Sequence, residues 1–175
     1  WIGIPKYNIE GNIQDINLLT TKIVNFDKTI STIPTYDLLS TEIRNHQVMY
    51  EGSSRRIKRS IYFNIKSFKF VDDEFYEKVK DINLISEYMD RKLREIAESK
   101  KNIPHAERII NGQQLTNIGL FRNYVLNYLK NNPKVDQDEI VLVRQLEISP
   151  QGMPLEIYCF ANKAELVDYE RIQAD

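Results

Sequence analysis

The stretch Gly11-Asn12-Ile13-Gln14-Asp15-Ile16-Asn17-Leu18-Leu19-Thr20-Thr21-Lys22-Ile23-Val24 alternates like a strand, but its alternation changes face in the middle. Ile16 and Leu18 share one parity, Thr21 and Ile23 the other. One strand running from about Asn12 to Phe26, with a bulge or sharp bend near Leu18-Leu19, accounts for the change. Such a bend is a device for curling a small sheet toward a barrel. Around it, Trp1 to Ile4 reads as a strand end stopped by Pro5. Asn8 to Gly11 reads as a turn in which Gly11 takes a positive φ. Asp27-Lys28 is the next turn, Thr29 to Ile33 the next strand, and Pro34 ends it because proline cannot donate to a ladder. Tyr36 to Glu42 reads as a short helical turn.

Glu51-Gly52-Ser53-Ser54 is small and polar and separates two patterns, so it reads as a linker. Beyond it, Arg55 to Lys66 reads as a strand with Ile57, Ile61, Phe63 and Ile65 on one face. From Asp72 to about Lys101 the apolar positions Phe75, Val79, Ile82, Ile85, Met89, Leu93 and Ile96 step by three or four, as in an amphipathic helix. Asn102 to Gln114 is a loop. Thr116 to Asn131 is a second amphipathic helix, with Ile118, Phe121, Val125, Tyr128 and Leu129 on one face. Two strands, Glu139 to Ile148 and Leu155 to Ala161, flank a turn at Ser149–Pro154, and a last helix starts near Asn162. The expected fold class is α+β, with a β-module over residues 1–51 and an α/β unit over 52–175.

The totals exclude several functions. The 175 residues carry a net charge of −1, which argues against a general nucleic-acid binder. With 42% hydrophobic and 28% charged residues, a packed core is expected. The single cysteine, Cys159, leaves no intrachain disulfide and no multi-cysteine zinc site. His46 and His105 have no metal-ligand spacing, and no cofactor motif is present. Asp72-Asp73-Glu74 reads as helix N-terminal electrostatics, and Cys159 as a buried thiol. The basic run Arg55-Arg56-Ile57-Lys58-Arg59 has two readings. It is an interface or anion-attracting segment, or a strand edge kept soluble by charge. No catalytic constellation appears, so an enzyme is not expected.

The order Trp1-Ile2, Gly11-Asn12-Ile13-Gln14-Asp15-Ile16, Thr20-Thr21-Lys22-Ile23, Asp27, Ile33-Pro34-Thr35 resembles the mechanosensitive channels of small conductance (MscS). Lys28 stands where that family usually has glycine, and Thr35 where it usually has asparagine. Gly52–Ile61, Leu115–Arg122, Val143–Leu146 and Glu156–Phe160 look like the miniconductance-type subfamily. The resemblance implies an Sm-like β-barrel followed by a ferredoxin-like α/β domain with a mixed sheet. It implies a homo-oligomer, usually of seven subunits, whose cytosolic vestibule lies beneath a bacterial inner membrane. The chain starts at Trp1 without Met, so membrane segments are expected upstream, and a further strand is expected beyond Asp175. The implied role is tension-gated release of ions and small solutes on osmotic downshock. Gly11, Asp15, Thr20, Thr21, Lys22, Asp27 and Pro34 would be structural motif positions. Arg55, Arg56, Lys58 and Arg59 would lie at a subunit interface or portal. The alternative is a regulatory module that binds a small molecule or RNA through the same two folds.

Overall fold

The computed structural model describes residues 1–175 except 53, 102, 107, 109 and 110. Ser53 of the expected linker and Asn102 at the start of the expected loop therefore lie outside the described residues. The chain forms two compact units, residues 1–55 with 163–171, and residues 56–162 with 172–175. Among the described residues no helix is long and apolar enough to cross a membrane.

The first unit is a five-stranded antiparallel sheet of β1 (Ile2–Ile4), β2 (Ile9–Ile16), β3 (Thr20–Asn25), β4 (Ile30–Pro34) and β5 (Arg44–Asn45), in the order β4-β3-β2-β1-β5. The expected single strand over 12–26 is instead a hairpin. β2 and β3 pair from Gly11↔Asn25 to Ile16↔Thr21, and the Asn17 N–H donates to the Thr20 carbonyl at 2.8 Å. The change of face is thus the turn itself, with Leu18 and Leu19 at its exposed tip. A bulge does exist, but at Gln14, where the register shifts between Ile13 and Asp15.

The expected turn at Gly11 is also corrected. Gly11 lies inside β2, and the left-handed residue is Asn8, at φ 52°. Ile2, Ile4, Ile23 and Ile33 form the core of this sheet, with Ile9, Leu38 and Ile43 packed against it. Two short helices, α1 (Asp37–Ser40) and α2 (Gln47–Glu51), follow β4 and β5, and Glu51 of the expected linker is the last residue of α2. The expected helical turn at Tyr36–Glu42 matches α1. β5 and α2 are too short to leave a periodicity.

The second unit has a three-stranded sheet, β6 (Arg55–Phe63), β8 (Met153–Ala161) and β7 (Leu142–Gln145), with β8 in the middle. Strand β6 ends at Phe63, and Ile65 begins a 3-10 turn. The expected apolar face is accordingly covered only in part. Ile57 is buried, while Ile61 and Ile65 are exposed. The expected helix over 72–101 is two helices, α3 (Asp73–Val79) and α4 (Asn83–Lys100), because Ile82 is extended (φ −81°, ψ 104°). Asp81 and Asn83 at the break are poor helix formers.

Helix α5 (Asn117–Asn131) is the layer that meets the sheet. Val125, Val143 and Leu155 form one core with Phe63, Leu126, Leu129 and Ile157 around it. Helix α4 packs on α5 rather than on the sheet, through Ile85, Met89, Leu115 and Leu120. Asn127 fixes that pair, its Nδ2 donating to the Leu84 carbonyl at 2.6 Å. Helix α6 (Leu166–Ala174) follows β8.

Candidate functional site

Two features carry the motif residues: the hairpin of the first unit, and a row of charges across the second unit's sheet. At the hairpin, Thr21 is fully buried, and its hydroxyl lies 3.0 Å from that of Thr35. Thr35 in turn donates from Oγ1 to the Asn17 carbonyl at 2.6 Å and from its N–H to the Leu19 carbonyl at 3.0 Å. One residue after Pro34 thus ties down both sides of the turn. This gives Thr35 a role at the position where asparagine was the expected residue. Thr20 pairs with Pro34, the last residue of β4, whose missing N–H is harmless on an end strand. Asp15 and Lys22 face each other across β2 and β3, and Asp15 accepts from Asn17 Nδ2 at 2.8 Å.

The next turn is held by Asp27, which accepts from the Thr29 N–H at 2.9 Å and the Thr29 hydroxyl at 2.6 Å. These bonds, the hydroxyl's first, hold the Asp27 carboxyl below its ordinary range. Lys28 beside it sits at φ 68°, a conformation that costs an L-residue about 1–2 kcal/mol. Lys28→Gly is therefore expected to stabilise the protein by roughly 0.5 kcal/mol after glycine's extra chain entropy is counted. A urea midpoint that rises at unchanged slope checks this. A fall would show that the turn's strain is held elsewhere.

Within the chain the members of the basic run make separate contacts. The Arg55 guanidinium stacks 4.5 Å from the Tyr169 ring centroid, and that of Arg56 lies 6.0 Å from Tyr158. Lys58 Nζ lies 3.5 Å from Glu156 Oε2, and Arg59 is exposed. Glu156 is the residue that the sequence reading did not single out. It sits mid-strand on β8, directly opposite Arg144 on β7, with only 4% of its side chain exposed. Arg144 donates to Glu156 Oε1 from Nε at 2.8 Å and lies 2.7 Å away through Nη2. A cation from each flanking strand therefore closes on one carboxylate, and the three strands are cross-linked through side chains as well as backbone. The available signal was a single acid inside the apolar run Leu155–Phe160.

The Arg144 hydrogen bond, ahead of the Arg144 and Lys58 charges, outweighs desolvation and lowers the Glu156 carboxyl below its usual value. A lowered folded-state pKa contributes stability that is complete above the unfolded value, about 4.3, and is lost as pH falls through the folded one. The Glu156→Gln variant lacks that contribution. Its melting temperature should lie below the wild type's at neutral pH, and the gap should close as pH drops below about 4. A gap independent of pH would remove the ion pair from the explanation.

The remaining candidates have local partners or are buried. Asp72 caps α3, accepting from the Phe75 N–H at 2.8 Å, and Glu74 pairs with Lys78 at 2.6 Å. Cys159 is buried, and burial pushes its thiol up to about 11, which suits an inert core residue. His105 lies in a turn at φ 56°, and His46 stacks on Trp1. Among the described residues no group of three His, Cys, Asp or Glu side chains could hold a metal ion.

This hairpin sheet, with its Thr-Thr strand and proline-ended β4, defines a class: residues 1–48 match the family described as mechanosensitive ion channel, beta-domain. Residues 1–48 are thus similar to the β-domain of the mechanosensitive ion channels. Over 99% of its length it also shares the fold of Arabidopsis thaliana MSL1, at 17% identity and a TM-score of 0.54, covering 44% of that chain. A variant of MSL1 gives 17% identity, a TM-score of 0.50 and 46% of that chain. Helicobacter pylori MscS in its closed state gives 13% identity, a TM-score of 0.49 and 49% of that chain. The protein therefore spans less than half the length of the structures it matches. The shared fold is the α+β arrangement of sheet, helices and second sheet described above.

Proposed function

We propose that this chain is the cytosolic vestibule region of a mechanosensitive ion channel of the miniconductance type. The observation that carries the reading is the β-domain match at residues 1–48, joined to a fold likeness that runs on through the second unit. On this reading the channel is a homo-oligomer, a heptamer by analogy with the family. It opens on membrane tension and releases ions and small solutes on osmotic downshock. The region lies on the cytoplasmic side of a bacterial inner membrane, and it performs no catalysis. Residues 1–51 act as the β-domain and 52–175 as the vestibule wall. Arg55, Arg56, Lys58 and Arg59 line a subunit contact or portal; Arg56, Lys58 and Arg59 are exposed.

The test is patch-clamp recording of the full-length protein in a membrane without other mechanosensitive channels. Tension-activated currents are expected. Their absence from a correctly inserted, assembled protein would overturn the reading. If the basic run serves a subunit contact, association should also weaken with added salt, since exposed charges are screened over about 10 Å at 0.1 M.

A further inference from the structure

The tip of the β2–β3 hairpin holds two leucines that the core does not use: Leu18 is 94% exposed and Leu19 78%. The Thr35 N–H bond to the Leu19 carbonyl, at 3.0 Å, brings the start of α1 beside them. There Tyr36 is 72% and Leu39 85% exposed. Tyr36 and Leu39 are three residues apart and share one side of the helical turn. Leu38, between them, packs on the core of Ile2, Ile4, Ile23 and Ile33 instead. Four of the five most exposed large hydrophobic side chains among the described residues therefore stand at one end of the first unit. A single exposed leucine is ordinary, but a contiguous apolar set marks a contact surface.

The charges around this end limit what can cover it. Both of its acids are held by neutral donors. Asp15 accepts from Asn17 Nδ2 at 2.8 Å, and Asp37 accepts from the Tyr7 hydroxyl at 2.5 Å. Its cations are Lys22, opposite Asp15 on β3, and Lys6, whose Nζ lies 4.7 Å from the centroid of the Tyr7 ring. Both lysines are exposed, and their long stems let the charge reach away from the apolar tip. The tip itself is convex, so its partner is either an apolar socket or a deformable surface. The clefts at Glu10 and Arg44, at Arg91 and Glu95, and at Asn131 and Lys134 are lined by charges and amides, so a second copy offers no apolar socket there. A bilayer needs none. It takes leucines at the acyl boundary, tyrosine at the headgroup level and lysines toward the phosphates.

We propose that this end of the first unit docks on a lipid bilayer. Leu18 and Leu19 enter the acyl boundary, Tyr36 and Leu39 lie beside them, and Lys6 and Lys22 face anionic headgroups. The contact goes beyond the channel reading, because it belongs to the first unit itself and needs no spanning segment.

The test is co-sedimentation of the 175-residue chain with vesicles of phosphatidylcholine, alone and mixed with an equal amount of phosphatidylglycerol. The chain should partition onto both, and more strongly onto the mixture. Leu18→Ser combined with Leu19→Ser should weaken partition at least about tenfold on either vesicle, since two apolar side chains no longer leave water. Lys6→Gln and Lys22→Gln should each weaken it about fivefold on the mixture and leave phosphatidylcholine unaffected. Val48→Ser is the control. Val48 is 76% exposed but lies on α2, which follows β5 at the opposite edge of the sheet from β4, so partition should not change. All the substituted side chains face water, and emission of Trp1, the only tryptophan, verifies that each variant stays folded. The proposal is overturned by a wild-type chain that does not sediment with vesicles, by undiminished partition of the leucine variant, by lysine variants that bind the mixture as the wild type does, or by an equal loss in Val48→Ser. It is also overturned if the chain self-associates without vesicles and the leucine changes abolish that, which gives the tip to a second copy. Currents of the full-length channel play no part in these readings, so either conclusion can fail alone.

Discussion

Gly11→Ala is expected to unfold the first unit or to leave it barely stable. Gly11 sits on β2 between Ile2 of β1 and Asn25 of β3, in register with both. A Cβ built there would lie 2.1 Å from the Val24 carbonyl oxygen, 2.7 Å from its carbon and 2.8 Å from Asn25 Cα. All three are backbone atoms, so no side chain can swing aside. The β2–β3 ladder must spread there, in the sheet that holds the fully buried Ile4 and Ile23. Overpacking of a close-packed site costs about 1–3 kcal/mol where side chains can yield, and more where they cannot. A loss of about 3 kcal/mol or more is therefore expected. Urea unfolding followed by Trp1 emission reads the first unit directly. Gly3→Ala is the control, because its Cβ would meet a side chain, His46, at 3.2 Å. A Gly11→Ala midpoint within error of the wild type would show that the strands do not approach so closely.

Gly11 also shows how a correct motif can carry a wrong local reason. The sequence places glycine at the right point, but the cause is close strand approach rather than a left-handed turn. The hairpin was hidden for a similar reason. Two-residue turns are usually announced by Asn-Gly or Asp-Gly, whereas this tip is Leu18-Leu19. Its geometry is supported from outside by Thr35, eighteen residues beyond Asn17, a tie that local pattern cannot show. The broken helix escaped notice because α3 and α4 turn toward one cluster. Phe75 and Val79 pack on Ile85 and Met89 across the break, so the apolar spacing runs through it.

Period and position did reveal the strand-rich start, the helix over residues 117–131 and the two late strands. They could not reveal coverage. Ile61 shares a parity with the buried Ile57, yet nothing requires a neighbour to lie over it, and it stays 42% exposed. The Lys58–Glu156–Arg144 row was illegible for the strongest reason. Its members are brought together only when β6, β8 and β7 align, and register between distant strands leaves no trace in any one of them.

The same distinction between periodicity and coverage sets the last expected result. Met89 and Leu93 lie one turn apart on α4 and look equivalent in sequence. In the fold Met89 is 2% exposed and Leu93 is 39% exposed. Met89 packs in the cluster with Ile85, Leu115 and Leu120 at the α4–α5 contact, while Leu93 lies past its edge. Truncating a fully buried methionine removes its transfer free energy and leaves a cavity, so Met89→Ala should cost about 2–5 kcal/mol. Leu93→Ala should cost less than about 1 kcal/mol, because much of its side chain already meets water. Met89→Leu conserves volume and should stay within about 1.5 kcal/mol of the wild type. Far-UV circular dichroism in urea follows the helical second unit and gives all three values on one scale. Equal losses for Met89→Ala and Leu93→Ala would place α4 against the sheet, with both residues covered. The expected inequality requires α4 to be the outer layer, resting on α5, which in turn rests on Val143 and Leu155 of the sheet.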